Sequence, residues 1–548
     1  MSIRLAVTAT YFALLLLIGF LARSRSQQSP GQYFLAGRSL AAPVLIATMA
    51  TTNFSAFTVF GVSGASYRDG LAFFPIMAFG TGFMALTFWL VGRKAREWGS
   101  AHNLITPSEL VSLLYNSVPV ARATALVLVV FTVPYLALQP MAAGVVLNQI
   151  FGLPSSVGAV AVTGAIVLYT LRGGMRAVAW TDALQGTLML VLMLVALGMV
   201  VGFHGGWVQA FSAVAGQEPA LFSRPGLQGT YTPALWFSFL ALWFFCDPMF
   251  PQLFQRFYAA RDEKTIGRVV LWYPAICILV FAPPVLLGTL GQLSFPGLAG
   301  NESDGILAMV MISVGGNVAG TLVLVAGLAA LMSTMDSQLL TLSSIFSRDI
   351  WPVVAKGRTA SMAVARVFVL VLAALGLALA LATDATILDL GVTAFTGLAV
   401  LFPSVLFGLY LRQPRSSAAL ASIVVGEAIV VASHLGVLPA HGFLSAIPVM
   451  IGSTVVYLAV HFATGPAGLP VFNRRQVLFT LGFGGIFLLA QDYWRWEETG
   501  ALVLGLPAWC WYFVGLSVAQ MILSARMLRK PRRVMGTTNL RTRIRERR

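Results

Sequence analysis

Apolar residues in this chain fall into long uninterrupted runs, not into the stripes or alternations that mark half-buried helices and strands of a soluble fold. About fifteen runs of roughly 17 residues or more carry almost no charge. They lie at 5–22, 41–66, 71–92, 121–150, 155–171, 181–203, 234–254, 269–291, 316–345, 362–383, 386–411, 418–436, 446–463, 476–491 and 502–525. A hydrocarbon core about 30 Å thick takes about 20 residues of helix to cross. Inside it a backbone must satisfy its own hydrogen bonds, so segments this long read as transmembrane helices. The first run is too long for a signal-peptide core, and Ser24-Arg25-Ser26 after it lacks a small-residue cleavage pattern.

Three runs are interrupted by polar residues. The second carries Thr51-Thr52-Asn53-Phe54-Ser55 at mid-depth. Serine and threonine can fold back onto their own helix, so a tolerated polar stripe is one reading and a broken helix the other. The seventh reads Cys246-Asp247-Pro248-Met249-Phe250-Pro251, a carboxylate beside two prolines that should kink or unwind the helix. An acidic group at membrane depth is a functional candidate; the alternative is a solvated cap at the inner interface near Arg256. The ninth holds Ser333 and Thr334 after small residues, hard hydroxyl oxygens suited to an alkali cation.

Charge changes the picture in one respect. Of 548 residues 58% are hydrophobic and 10% charged, against about 25% in soluble domains, and the net charge is +16. Such an excess raises nucleic acid as a partner, but its placement does not. With the N-terminus outside, 31 of the 35 Lys and Arg fall on the inner side and only Arg4, Arg68, Arg224 and Arg495 outside. Positive loops face the cytoplasm, so the count predicts fifteen helices, N-terminus out and C-terminus in, at a plasma or inner membrane. The Arg-rich tail 526–548 should lie against anionic lipids. Three scattered cysteines and five scattered histidines form no metal or disulfide pattern, which argues against a membrane enzyme.

The second and seventh runs each open a block of five, and five being odd, the blocks have opposite orientation. Interrupted helices at matching places in two inverted repeats point to the midplane site of a secondary transporter. The expected organisation is a leading helix and loop at 1–40, a first repeat at 41–233, a second at 234–412, peripheral helices at 413–525 and the tail.

Four segments then resemble the sodium/solute symporter family, whose members carry proline, sugars, pantothenate, urea or monocarboxylates. They are Tyr33 to Ser39, Tyr169 to Gln185, Phe254 to Asp262, and Ala330 to Asp349 with its DSQLL and FSRD stretches. The resemblance, spanning about 5–412, implies an all-α, LeuT-like five-plus-five core with one leading and about four trailing helices. It implies a Na⁺ site from the carbonyls of Thr51, Phe54 and Ala330 and the hydroxyls of Ser333 and Thr334, with Asp182 near the ion's exit. Asp182 could instead cap its helix beside Arg172 or Arg176. Proline carriers place an acid where this chain has Asn53, and the sugar carriers' polar set is replaced by Trp243, Cys246 and Asp247, which disfavours a hexose.

The expectation is sodium-coupled symport of a small carboxylate, amino acid or similar solute by alternating access. Ser55, Thr58, Gln139, Trp243 and Asp247 are the candidate solute residues, from depth and position. Proton coupling through Asp247 or Glu427, or a transporter-like receptor without net flux, are the alternatives. The solute and the oligomeric state are not legible.

Overall fold

The computed structural model describes residues 2–22, 29–357, 360–465 and 473–529. Each of the fifteen runs is helical there. Ten helices are long and apolar enough to cross a membrane, eleven when the bent pair Pro233–Met249 and Pro251–Ala259 counts as one. One of the ten, Phe57–His102, is two passes: Gly70 turns the chain with φ 76°, a left-handed value that favours glycine. The fourteenth run forms the 16-residue helix Arg474–Leu489.

Local chemistry sets many of the starts. Ser29, Thr106 and Thr232 accept a first-turn amide and are followed by Pro30, Pro107 and Pro233, whose missing donor costs nothing at that position. Glu109 completes a reciprocal cap with Thr106, and Gln476 does so with Asn473.

The ninth span starts at the break at Gly316 (φ 61°), and a separate helical stretch from Ile306 precedes it. One run boundary differs from the sequence reading. The fifteenth run opens with a two-residue antiparallel pair, Leu502–Val503 with Leu506–Pro507, and its helix Ala508–Leu528 starts only afterwards. Leu504 and Gly505 both have positive φ, as a two-residue hairpin turn demands.

The interrupted spans lie at the centre. In the apolar windows of Phe57–His102 and Gly320–Val354, 94% of residues are buried, against 33% in Ser416–His434 and Ala446–Ala463. The sixth span, Met175–Phe203, is also 33% buried and the tenth, Ala363–Ala382, 28%. Where the start of the second span meets the end of the seventh, the Leu40 N–H donates to Ala259 O at 3.1 Å and the Arg261 N–H to Leu40 O at 3.0 Å.

Arg224, in the connection between the sixth and seventh spans, is fully buried and pairs with Asp492 at 2.7 Å. Its guanidinium also lies 5.1–5.7 Å from the ring centres of Trp236, Trp496 and Trp509. This knot ties the last two spans to the core.

Candidate ion and solute site

The second span stops being a helix at Asn53. Phe54 has φ −87° and ψ 92°, which turns its carbonyl out of the helical ladder, and a wide turn at Phe57–Gly61 restarts the helix. The four polar residues before the break diverge. Thr51 folds back onto Ala47 O at 2.8 Å, as a tolerated stripe would. Thr48, Thr52 and Asn53 instead reach other helices, so the stripe reading fails for them.

The ninth span answers the break from across the interface. Ser333 Oγ donates to Thr51 O at 3.2 Å and to Ala330 O at 2.8 Å. Thr334 Oγ1 donates to Thr52 O at 3.1 Å and to Ala330 O at 3.3 Å. Three carbonyls and two hydroxyls from two helices thus converge, all oxygen and all buried. Such a donor set suits an alkali cation. Thr52 is an addition to the sequence reading. Among the described residues, no group of three or more His, Cys, Asp or Glu could hold a metal ion.

Asp182 stands one step away. Its Oδ2 accepts from Thr52 Oγ1 at 3.2 Å, from the Thr48 hydroxyl and from Arg256 Nη2 at 2.8 Å; its Oδ1 has no partner. Both members of the Arg256–Asp182 pair are fully buried. Arg256 also donates to Thr48 Oγ1 at 2.8 Å and Ser337 Oγ at 2.7 Å. The guanidinium therefore joins the second and seventh spans to the sixth and the ninth. This corrects two readings: Arg256 is not a loop cation, and Asp182 is no helix cap, since Arg176 is exposed while Arg256 buries with the carboxylate. The side chain of Arg172 lies outside the described residues. Sequence reasoning missed the pairing because the two residues lie 74 apart.

The sixth span approaches the break closely. A Cβ on Gly186, one turn beyond Asp182, would lie 2.0 Å from Thr51 Oγ1, so glycine is what lets the helices meet.

The seventh span bends by 54° between Met249 and Pro251, where Pro248 and Pro251 remove amide donors. Asp247 sits at that bend, 3% exposed, and accepts from Asn53 Nδ2 at 3.1 Å and Cys246 Sγ at 3.3 Å. It is no solvated interfacial cap, and Arg256 pairs elsewhere. Asn53 Nδ2 also donates to Tyr273 OH at 2.9 Å. Gln139 Oε1 accepts the Ala56 N–H at 3.2 Å, and Ser55 Oγ accepts the Phe57 N–H at 3.2 Å. Trp243 meets Phe57 and Phe395 edge-on, and its buried indole N–H has no partner. Four of the five solute candidates thus gather at the break in the second span. Thr58 joins through its backbone, donating its N–H to Ser55 O at 3.0 Å.

The profile of the sodium:solute symporter family matches residues 33–426. The chain belongs to that family. Relatives include the sodium/pantothenate symporter of Escherichia coli, 29% identical over 72% of this chain and 82% of that one. The high-affinity proline transporter of Bacillus subtilis is 29% identical over 76% and 89%. Among solved structures, a Na⁺-coupled sialic acid symporter superposes with a TM-score of 0.69 at 20% identity, over 85% of this chain and 98% of that one. A nucleobase-cation-symport-1 family transporter gives 0.55 at 14% identity, over 81% and 97%. The symporter fold is thus LeuT-like, five helices plus five inverted. This multi-pass membrane protein is a sodium-coupled symporter of a small solute that works by alternating access, and it is not an enzyme.

Proposed function

We propose that Na⁺ is held where the second and ninth spans meet, by the carbonyls of Thr51, Phe54 and Ala330 and the hydroxyls of Ser333 and Thr334. The solute, a small carboxylate, amino acid or similar molecule, binds beside it among Ser55, Thr58, Gln139, Trp243 and Asp247. The hydroxyl contacts of Ser333 and Thr334 on Thr51, Thr52 and Ala330 carry this reading. Bound Na⁺ supplies the charge that draws carbonyl dipoles of two helices together.

Coupling follows from position. The ion sits against one side of the broken second span and the solute against the other, so each stabilises the arrangement the other needs. The repeats at 41–233 and 234–412 supply the two broken helices. Release to the inside requires Arg256 to let go of Thr48, Ser337 and Asp182, because these bonds join four helices below the ion. Asp182, with one oxygen unpartnered, then receives the departing cation. The N-terminus lies outside and the Arg-rich tail 526–548 binds anionic lipid; its residues 530–548 lie outside the described residues.

Uptake into proteoliposomes tests the site. Driven by an inward Na⁺ gradient, the wild-type protein accumulates solute, and Ser333→Ala with Thr334→Ala abolishes both accumulation and the rise in melting temperature that Na⁺ gives the detergent-solubilised protein. Unchanged uptake in the double variant refutes the assignment.

A further inference from the structure

Resting on that placement of the solute, the surroundings of Asp247 identify what kind of solute it is. A carboxylate buried at membrane depth needs a compensating charge or a dense set of donors. Asp247 is 3% exposed and has two donors, the Asn53 amide and the Cys246 thiol. Among the described residues no Lys, Arg or His lies within ion-pair distance of it. Arg256, the cation closest in sequence, is committed to Asp182.

The neighbours of Asp247 are poor in the hard oxygens that a second metal cation would require. They are instead rich in rings. Phe250 follows Asp247 in the same bend, with its N–H on Asp247 O at 3.1 Å. Its ring lies 5.1 Å from Tyr135 and 5.0 Å from Phe395. Phe395 in turn meets Trp243, which stands one helical turn before Asp247. The bend that carries Asp247 thus also carries Phe250, whose ring joins Tyr135, Phe395 and Trp243 in one aromatic cluster; a carboxylate with ring faces on the same elements suits an organic ammonium, held by charge and by ring quadrupoles. The unpartnered Trp243 N–H, 2% exposed, offers a donor for an acceptor elsewhere on the same molecule.

The Asn53 amide of the second span holds the Asp247 carboxylate from the opposite broken helix, 3.1 Å away, so the negative charge stands at the break between the two interrupted spans.

We propose that Asp247 is the counter-charge for a protonated or permanently charged nitrogen, so that the transported solute is a small amine-bearing molecule and, with the Trp243 N–H engaged, an amino acid or betaine. The solute charge replaces a partner the protein itself withholds.

The test is a thermal-shift and uptake panel with purified protein in Na⁺, pairing molecules that differ at one group: L-alanine with L-lactate, L-proline with cyclopentanecarboxylate, glycine betaine with 3,3-dimethylbutyrate. The nitrogen-bearing members raise the melting temperature and are taken up, and their counterparts, which keep the carboxylate but lack the cationic nitrogen, are not. Asp247→Asn lowers affinity for them at least tenfold while the shift given by Na⁺ alone persists, which also shows that the variant is folded. Asp247→Glu restores part of the binding. Trp243→Phe weakens carboxylate-bearing amines more than choline. Preference for the nitrogen-free members, no response from any amine, or amine uptake within twofold of wild type in Asp247→Asn overturns the proposal. So does solute accumulation driven by a pH gradient in Na⁺-free buffer, which would make Asp247 a proton carrier. Failure of the site reading itself is a separate result: there the Na⁺ shift survives Ser333→Ala with Thr334→Ala, whatever Asp247→Asn does.

Discussion

Asp182 and Arg256 make the sharpest test at the scale of single residues. Both are fully buried, and removing one member of such a pair strands a charge at a cost of about 3–5 kcal/mol. Arg256→Ala and Asp182→Ala each lower the melting temperature of the detergent-solubilised symporter well below that of the Arg256→Met, Asp182→Leu double variant, and differential scanning fluorimetry reads the order. If the double variant melts lowest, the pair is not the unit described here. Legibility at this scale was uneven. Ser333 and Thr334 were readable because hydroxyls next to small residues in an apolar run have few other uses, and their partners proved to be backbone. Arg256 was not readable, since among 31 inner cations nothing in the local sequence distinguishes one that turns inward. Asp247 was visible as an anomaly, but its neighbour Asn53 lies 194 residues away, so only the fold reveals what it faces.

Among elements, the approach of the sixth span to the second governs whether ion binding can be felt by a moving helix. A side chain at 186 would occupy the space of the Thr51 hydroxyl. Gly186→Val therefore separates the two spans and lowers apparent Na⁺ affinity by about tenfold or more, roughly 1.4 kcal/mol, in the Na⁺ dependence of uptake. A variant with wild-type Na⁺ dependence contradicts that contact. The broken helices themselves were legible from residue chemistry, because Pro248, Pro251 and the run from Thr51 to Ser55 weaken any helix. Their ends were less so. The ninth run starts where Gly316 breaks the chain, but the helical stretch from Ile306 before it carries no cap to mark it. The hairpin at 502–507 hid inside an apolar run for a related reason: two residues of strand leave no period to detect.

For the whole molecule, the inner excess of cations predicts the orientation, and the termini can be labelled. Cysteines placed at Ser2 and at Arg529, with Cys246, Cys277 and Cys510 replaced by serine, react with a membrane-impermeant maleimide from outside at position 2 only; labelling at 529 in intact cells reverses the topology. The helical plan was the most legible level, because the bilayer imposes the length of each span. The knot at Arg224 has a bearing on how such a chain is made. Asp492 follows it by 268 residues, so at about 5–20 residues per second the ribosome leaves Arg224 without its carboxylate for roughly 13–54 s. During that interval the spans from the seventh onward are added around an unclaimed guanidinium, and only the stretch that follows the thirteenth supplies Asp492, Trp496 and Trp509. A chain stopped at 465 turns over faster in pulse-chase than the full chain, and Arg224→Leu slows that turnover. Burial of the Arg224 guanidinium thus falls late in synthesis, long after the residue itself has been made.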